Sequence, residues 1–179
     1  MRVIAGLAKG HQLFSPEGED TRPTLDRVKE SVFSILYHYL NGAVVLDLFA
    51  GTGGLGIEAL SRGASYADFV DNNKKAYDCI IRNLRKTRLE EKAKVHFTAF
   101  EKFLKATNKK YDIVFLDPPY NKGVEDKVFA EVSRVINEGS VIVLETEYVA
   151  GDYDGFEIIR QAKYGRVYIT LYRQTENGL

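Results

Sequence analysis

Three stretches of this chain are apolar almost without interruption: AVVLDLF (43–49), YDIVFLD (111–117) and SVIVLE (140–145). Runs of that kind fit strands covered on both faces, the condition met inside parallel sheets. Shorter strand candidates lie at 66–70 and 94–97. Between the runs, apolar residues recur at helical spacing: Leu25, Val28, Val32, Leu36 and Tyr39; Ala76, Ile80 and Leu84; Val128, Val132 and Ile136. Strand and helix patterns in alternation predict an α/β fold with a mainly parallel sheet. The last third differs, because RVYITLYR (166–173) alternates apolar and polar residues and follows FEIIRQAKY (156–164), as an antiparallel hairpin closing the sheet would. RVIAG and HQLFS flank a Lys9-Gly10 turn and predict a small N-terminal β-hairpin outside the main sheet. Pro23 and Thr24 then start the first helix, with Thr24 suited to the N-cap. The expectation is one domain over 1–179, with 1–20 as an N-terminal hairpin extension.

Charge narrows the class of partner. Lys plus Arg and Asp plus Glu stand at 25 each, so there is no global field for indiscriminate binding to nucleic acid. From Lys74 to Lys110, however, twelve basic residues face four acidic ones. Such runs are usually solvated helix faces, and a phosphate-tracking role is the alternative. No eighteen apolar residues run together and the N-terminus lacks a signal-peptide core, which predicts a cytoplasmic protein with no membrane contact. The single cysteine, Cys79, and three scattered histidines offer no metal-ligating cluster.

DLFAGTGGLG (47–56) follows the first strong strand and opens a helix. Gly51, Gly53 and Gly56 satisfy G-x-G-x-x-G, and Asp71 falls 20 residues after Gly51 at the end of the next strand, the distance expected of an acid holding ribose hydroxyls. A nucleoside cofactor follows: glycines let the backbone approach the ligand, and a carboxylate accepts from two vicinal hydroxyls. Asp47, just before the glycines, suits a ligand with an amino group and a positive sulfur, which describes S-adenosyl-L-methionine better than NAD.

FLDPPY (115–120) holds two of the chain's four prolines. Asp117 ends a strand at the sheet edge where open α/β folds bind ligands. Pro118 and Pro119 lack N–H groups, so the stretch offers acceptors, the Asp117 carboxylate and backbone carbonyls, while Tyr120 offers a flat face. A planar amine would find both its protons accepted, its lone pair turned toward an electrophile, and a carboxylate beside the positive charge that develops on nitrogen.

Over nearly its whole length the chain resembles the RsmD-like family of small-subunit (16S) rRNA guanine-N2 methyltransferases. The matching stretches are MRVIAG with Lys9-Gly10, RPTLDRVKESVF, LDLFAGTGGLGIEALSRGA, DPPY and GRVYITLYR. The resemblance implies a Rossmann-like class I methyltransferase fold with a seven-stranded sheet, S-adenosyl-L-methionine as cofactor, and 16S rRNA as partner, within the small ribosomal subunit or an assembly intermediate, for a monomeric enzyme. It further implies that Asp47, Phe49, Ala50, Gly51, Thr52, Gly53 and Gly54 line the cofactor's methionine half, that Asp71 holds the ribose with Asn72 beside it, and that Asp117, Pro118, Pro119 and Tyr120 hold the guanine. Arg22 and Thr24 would touch cofactor or target nucleotide. Relatives carry Asp or Asn where this chain has Ala99, which shifts the adenine contact to backbone near Phe100. Glu58 and Arg62 match the family and also fit a structural i, i+4 pair. Arg2, Lys9 and His11 sit on the N-terminal hairpin, which the main sheet does not need on this reading, and are expected on rRNA phosphates. DPPY is shared with adenine-N6 methyltransferases of DNA. The competing readings are that activity, a catalytically silent RNA-binding module, and a dinucleotide-dependent oxidoreductase, for which DPPY would have no use.

Overall fold

In the computed structural model, which describes residues 1–15, 23–118 and 123–175, the apolar runs form the middle of one seven-stranded sheet. The elements are α1 (Pro23–Ile35), α2 (Tyr37–Leu40), β1 (Val44–Asp47), α3 (Gly54–Ser61), β2 (Tyr66–Asp71), α4 (Lys74–Thr87), β3 (Ala93–Phe97), α5 (Phe100–Ala106), β4 (Tyr111–Leu116), α6 (Val124–Val132), β5 (Ile136–Thr146), β6 (Phe156–Tyr164) and β7 (Val167–Gln174). The strand order is β3-β2-β1-β4-β5-β7-β6. β1 to β5 run parallel, and β7 inserts antiparallel between β5 and β6, as the alternation in 166–173 predicts.

Both faces of the sheet are covered, which is why the runs are continuous rather than alternating. Odd-numbered residues such as Val45, Phe69, Phe115 and Val143 pack with Val32, Phe33, Ile57 and Ile80 of α1, α3 and α4. Even-numbered residues such as Leu46, Val70, Leu116 and Leu144 pack with Phe103, Leu104, Phe129 and Val132 of α5 and α6. Successive strand side chains point to opposite faces. The odd series therefore continues, at the carboxyl edge, into Asp71, Asp47, Asp117 and Glu145, on or directly after four neighbouring strands.

Several element boundaries differ from the sequence reading. Ile136 is the first residue of β5, not the last of a helix, because α6 stops at Val132, one 3-10 turn follows, and Ile136 pairs with Tyr111. Its spacing from Val132 suits a helix and its β-branch suits a strand, and sheet pairing decides. The first helix breaks at Leu36 into α1 and α2. It begins at Pro23, the first-turn position that favours proline, so Thr24 lies inside it rather than capping it. β1 ends at Asp47 rather than Phe49, although Leu48 N–H still donates to Phe115 O at 3.1 Å. Helix α5 was not anticipated; its seven residues bury only Phe103 and Leu104, too few for a periodic signal.

The N-terminal hairpin is a narrow ribbon with one antiparallel bridge, Arg2 to Gln12, outside the main sheet. The reading that the sheet does not need it is corrected by its burial: Val3, Ala8 and Leu13 belong to the same core cluster as Phe33 and Ile57. Glu58, fully buried on α3, accepts from Ile4 N–H (2.9 Å), Ala5 N–H (3.0 Å) and Arg62 Nε (2.7 Å). Buried Lys29 stands 3.1 Å from the same carboxylate and also donates to the Arg2 carbonyl. On α4, Asn83 accepts from Phe14 N–H at 2.7 Å and donates to the carbonyls of Phe14 (3.0 Å) and Thr52 (2.9 Å). The Glu58–Arg62 pair is thus real, and part of a clasp that straps the ribbon to the glycine-loop helix.

Candidate active site

The spacing between Gly51 and Asp71 has a direct structural expression. Asp71 Oδ2 accepts from Gly51 N–H at 2.9 Å and Oδ1 accepts from Asn73 N–H at 2.8 Å, so one carboxylate ties the loop after β1 to the loop after β2. Its remaining lone pairs stay available to hydroxyls. Gly51 has φ +55° and nothing within 4 Å of where a Cβ would project, so its backbone is open to a ligand. The other glycines act inward. A Cβ on Gly54 would lie 2.2 Å from Met1 Sδ, and one on Gly56 2.3 Å from the Phe69 ring. Gly53, at φ +77°, faces Ile57 and Ile80. Gly51 thus leaves an open stretch of backbone at positive φ, while close packing against Met1 and Phe69 is the reason for Gly54 and Gly56.

Asp47 is 3% exposed, and its Oδ2 accepts from Gly56 N–H at 2.9 Å. Burial pushes its carboxyl up to about 7; the Gly56 bond opposes the rise, and Asp117 and Asp71 add to it. A cationic group arriving beside Asp47 would return it to the anion. Thr52 is buried with its carbonyl held by Asn83, and the rings of Phe49 and Phe100 meet at 5.2 Å between centroids. Ala50 N–H donates to Val70 O at 3.1 Å, holding the loop against β2. Asn72 is exposed beside Asp71. Ala99 precedes α5 and supplies no side-chain cap. Phe97, 54% exposed at the end of β3 and 5.8 Å from Tyr77 between ring centroids, adds an apolar surface near Asp71 that belongs to none of the sequence motifs.

Asp117 follows the last residue of β4 and is exposed, while Pro118 is buried. Pro119, Tyr120 and Arg22 lie outside the described residues, as does the side chain of Thr24. Sequence reasoning missed Glu145, on β5 beside Asp117. Burial, with Asp117 adding, pushes its carboxyl up to about 8. The only available signal was an acid closing an apolar run, SVIVLE.

The expected RNA contacts are not gathered at this edge. Arg2 pairs with Asp26 of α1 at 3.4 Å. Lys9 borders a groove of about 610 Å³ with Phe33, Tyr37 and Arg62. Tyr37 precedes β1 and Arg62 precedes β2, which places this groove at the opposite edge of the sheet from the four acids.

The model of the family described as Conserved hypothetical protein 95, the RsmD family, matches residues 1–173. The chain belongs to this family. Relatives agree. YlbH of Bacillus subtilis, provisionally named an rRNA methyltransferase, is 38% identical over 97% of this chain and 99% of its own. The Escherichia coli ribosomal RNA small subunit methyltransferase D is 31% identical over 99% of this chain and 92% of its own. The solved structure of Escherichia coli yhhF, provisionally named a methyltransferase, superposes with a TM-score of 0.86 at 28% identity, covering 97% of each chain. The fold is the Rossmann-like class I fold of methyltransferases with antiparallel C-terminal strands. Within this RsmD-family frame, the row of acids and the loop at Gly51 occupy the sheet edge where such folds bind ligands.

Proposed function

We propose that this chain methylates the exocyclic N2 amine of a guanine in 16S rRNA of the small ribosomal subunit or an assembly intermediate, using S-adenosylmethionine. The observation that carries the reading is the adjacency of two sites along one sheet edge: the Asp71–Gly51 clasp with buried Asp47 on β2 and β1, and Asp117–Pro118 after β4, the strand next to β1. The names of the small-subunit relatives support the choice of rRNA.

The residues present fit the cofactor: an open Gly51 backbone, an acid at ribose distance, and a buried acid without a compensating cation among the causes of its shift. When bound, S-adenosylmethionine supplies an electrophilic methyl group on a positive sulfur. Asp71 then holds vicinal hydroxyls and Asp47 meets the amino group as a full anion. The Asp117 carboxylate accepts one amine proton and the Pro118 carbonyl the other, which turns the nitrogen lone pair out of the base plane. As nitrogen becomes positive, the Asp117 charge stabilises it, a contribution of about 100-fold or more in rate. The surplus proton then leaves an acidic ammonium without a dedicated strong base.

The test is the product. Purified protein, radiolabelled S-adenosylmethionine and small subunits from a strain lacking the enzyme are incubated, and the rRNA is digested to nucleosides. Label in N2-methylguanosine is expected. Label in N6-methyladenine on a DNA control would move the assignment to the adenine reading, and bound cofactor with no transfer would leave a silent RNA-binding module.

A further inference from the structure

Asp71, Asp47, Asp117 and Glu145 stand in a row on or directly after β2, β1, β4 and β5, all on the face of the sheet that α1 and α3 cover. Neighbouring strands are about 4.8 Å apart, so the row advances by one strand spacing per acid. The first two belong to the cofactor side and Asp117 to the amine. Glu145 comes next, away from the cofactor: Leu116 pairs with Leu144, which sets Asp117 beside Glu145. Its carboxyl is half-buried and makes no hydrogen bond or ion pair among the described residues. A carboxyl that loses part of its hydration without gaining a donor is disfavoured as the anion, and the neighbouring Asp117 adds to this. Such a group fits a site whose donor arrives with the substrate.

We infer that Glu145 reads the base edge next to the amine, accepting the N1–H of guanine while Asp117 and Pro118 hold the N2 amine. This rests on the proposed guanine-N2 activity. Guanine carries N1–H and the N2 amine side by side, so its edge matches acceptors on two adjacent strands. Adenine carries a lone pair at N1, next to its own amine. An ionised Glu145 would face that lone pair with no hydrogen between them and stay unpaired, so the discrimination is greatest above about pH 8, where the carboxyl has lost its proton, and the base comparison is made there. The DPP acceptors alone hold any exocyclic amine; Glu145 supplies the choice between bases. Rejection of an analogue that lacks the donor a polar site is built for is generally stronger than rejection by shape.

The experiment compares guanine with 2,6-diaminopurine, which keeps the N2 amine and loses N1–H, placed at the modified position of rRNA reconstituted into small subunits. Wild-type protein is expected to prefer guanine by about 10- to 100-fold in kcat/KM, the range for losing a hydrogen bond to a charged group. In Glu145→Ala the guanine rate falls by a similar factor and the preference collapses to about threefold or less. Glu145→Gln, nearly isosteric and able to turn either amide oxygen or NH₂ toward N1, uses both bases about equally. Calorimetric binding of S-adenosylmethionine, two strands away, stays unchanged in both variants and shows that they are folded. If wild type methylates guanine but both variants keep its full preference, Glu145 is not the reader and the proposed function stands. If wild type puts no methyl on guanine N2 at all, the functional reading fails and this inference with it.

Discussion

Asp47→Asn should make the protein more stable at neutral and alkaline pH and a poorer binder of S-adenosylmethionine. The carboxyl is 3% exposed and its pKa rises from 3.8 in the unfolded reference to about 7 in the fold, chiefly through burial. Between those values the folded protein keeps a proton that the unfolded chain has released. Stability from this group is therefore lost as pH rises from 3.8 toward 7, and stays lost above it. A shift of about three units at about 1.4 kcal/mol per unit sets a ceiling of about 4 kcal/mol, and relaxation around the charge brings the expectation to about 2 kcal/mol. Asparagine keeps an oxygen for Gly56 N–H, so the loop geometry survives, and whatever its extra NH₂ costs is independent of pH. Urea unfolding of both proteins at pH 4 and pH 8 gives the difference directly. The mutant should gain about 2 kcal/mol relative to wild type on going from the acid to the alkaline condition, and its affinity for S-adenosylmethionine should fall about tenfold or more. A stability difference that does not change with pH would refute the account of Asp47 as a charge held in reserve for a cation.

Asp117→Ala should lower kcat by about 100-fold while calorimetry finds cofactor affinity unchanged; equal activity would make DPPY only a strand terminator. Asp71→Ala should weaken cofactor binding by about 1–3 kcal/mol and also speed amide exchange at Gly51, whose N–H it now holds at 2.9 Å; an unaltered Gly51 exchange rate would deny the clasp. Glu58→Ala strands the Lys29 ammonium in the core and should cost about 3–5 kcal/mol in urea unfolding, far more than an exposed i, i+4 pair. Removing residues 1–14 should lower the melting temperature or prevent folding, because Val3, Ala8 and Leu13 leave the core with them; a truncated protein that melts with the full chain would refute this.

Local chemistry settled much in advance. Apolar runs such as AVVLDLF are legible because burial on two faces removes alternation, and the 166–173 segment is legible because its residue types alternate, although Thr170 and Tyr172 are buried as fully as Ile169 and Leu171. The distance from Gly51 to Asp71 is visible because one crossover of nearly constant length joins the ends of neighbouring parallel strands. What tertiary structure alone decided depends on which distant segments meet. Gly54 and Gly56 read as ligand-binding glycines until Met1 and Phe69 arrive against them from 53 and 13 residues away. Glu58 reads only as a family match that also fits an i, i+4 pair with Arg62, and the docked N-terminal ribbon is what buries it. Lys9 reads as a contact for rRNA phosphates, and only the ribbon's docking shows that it lies at the opposite sheet edge from the four acids. Glu145 carries no motif of its own; it gains its place because β5 pairs with β4 in a register that puts Leu144 against Leu116. Periodicity is a property of neighbours in the chain and survives in the sequence, whereas strand order and register are sums over contacts between segments far apart, and only the folded chain performs that sum.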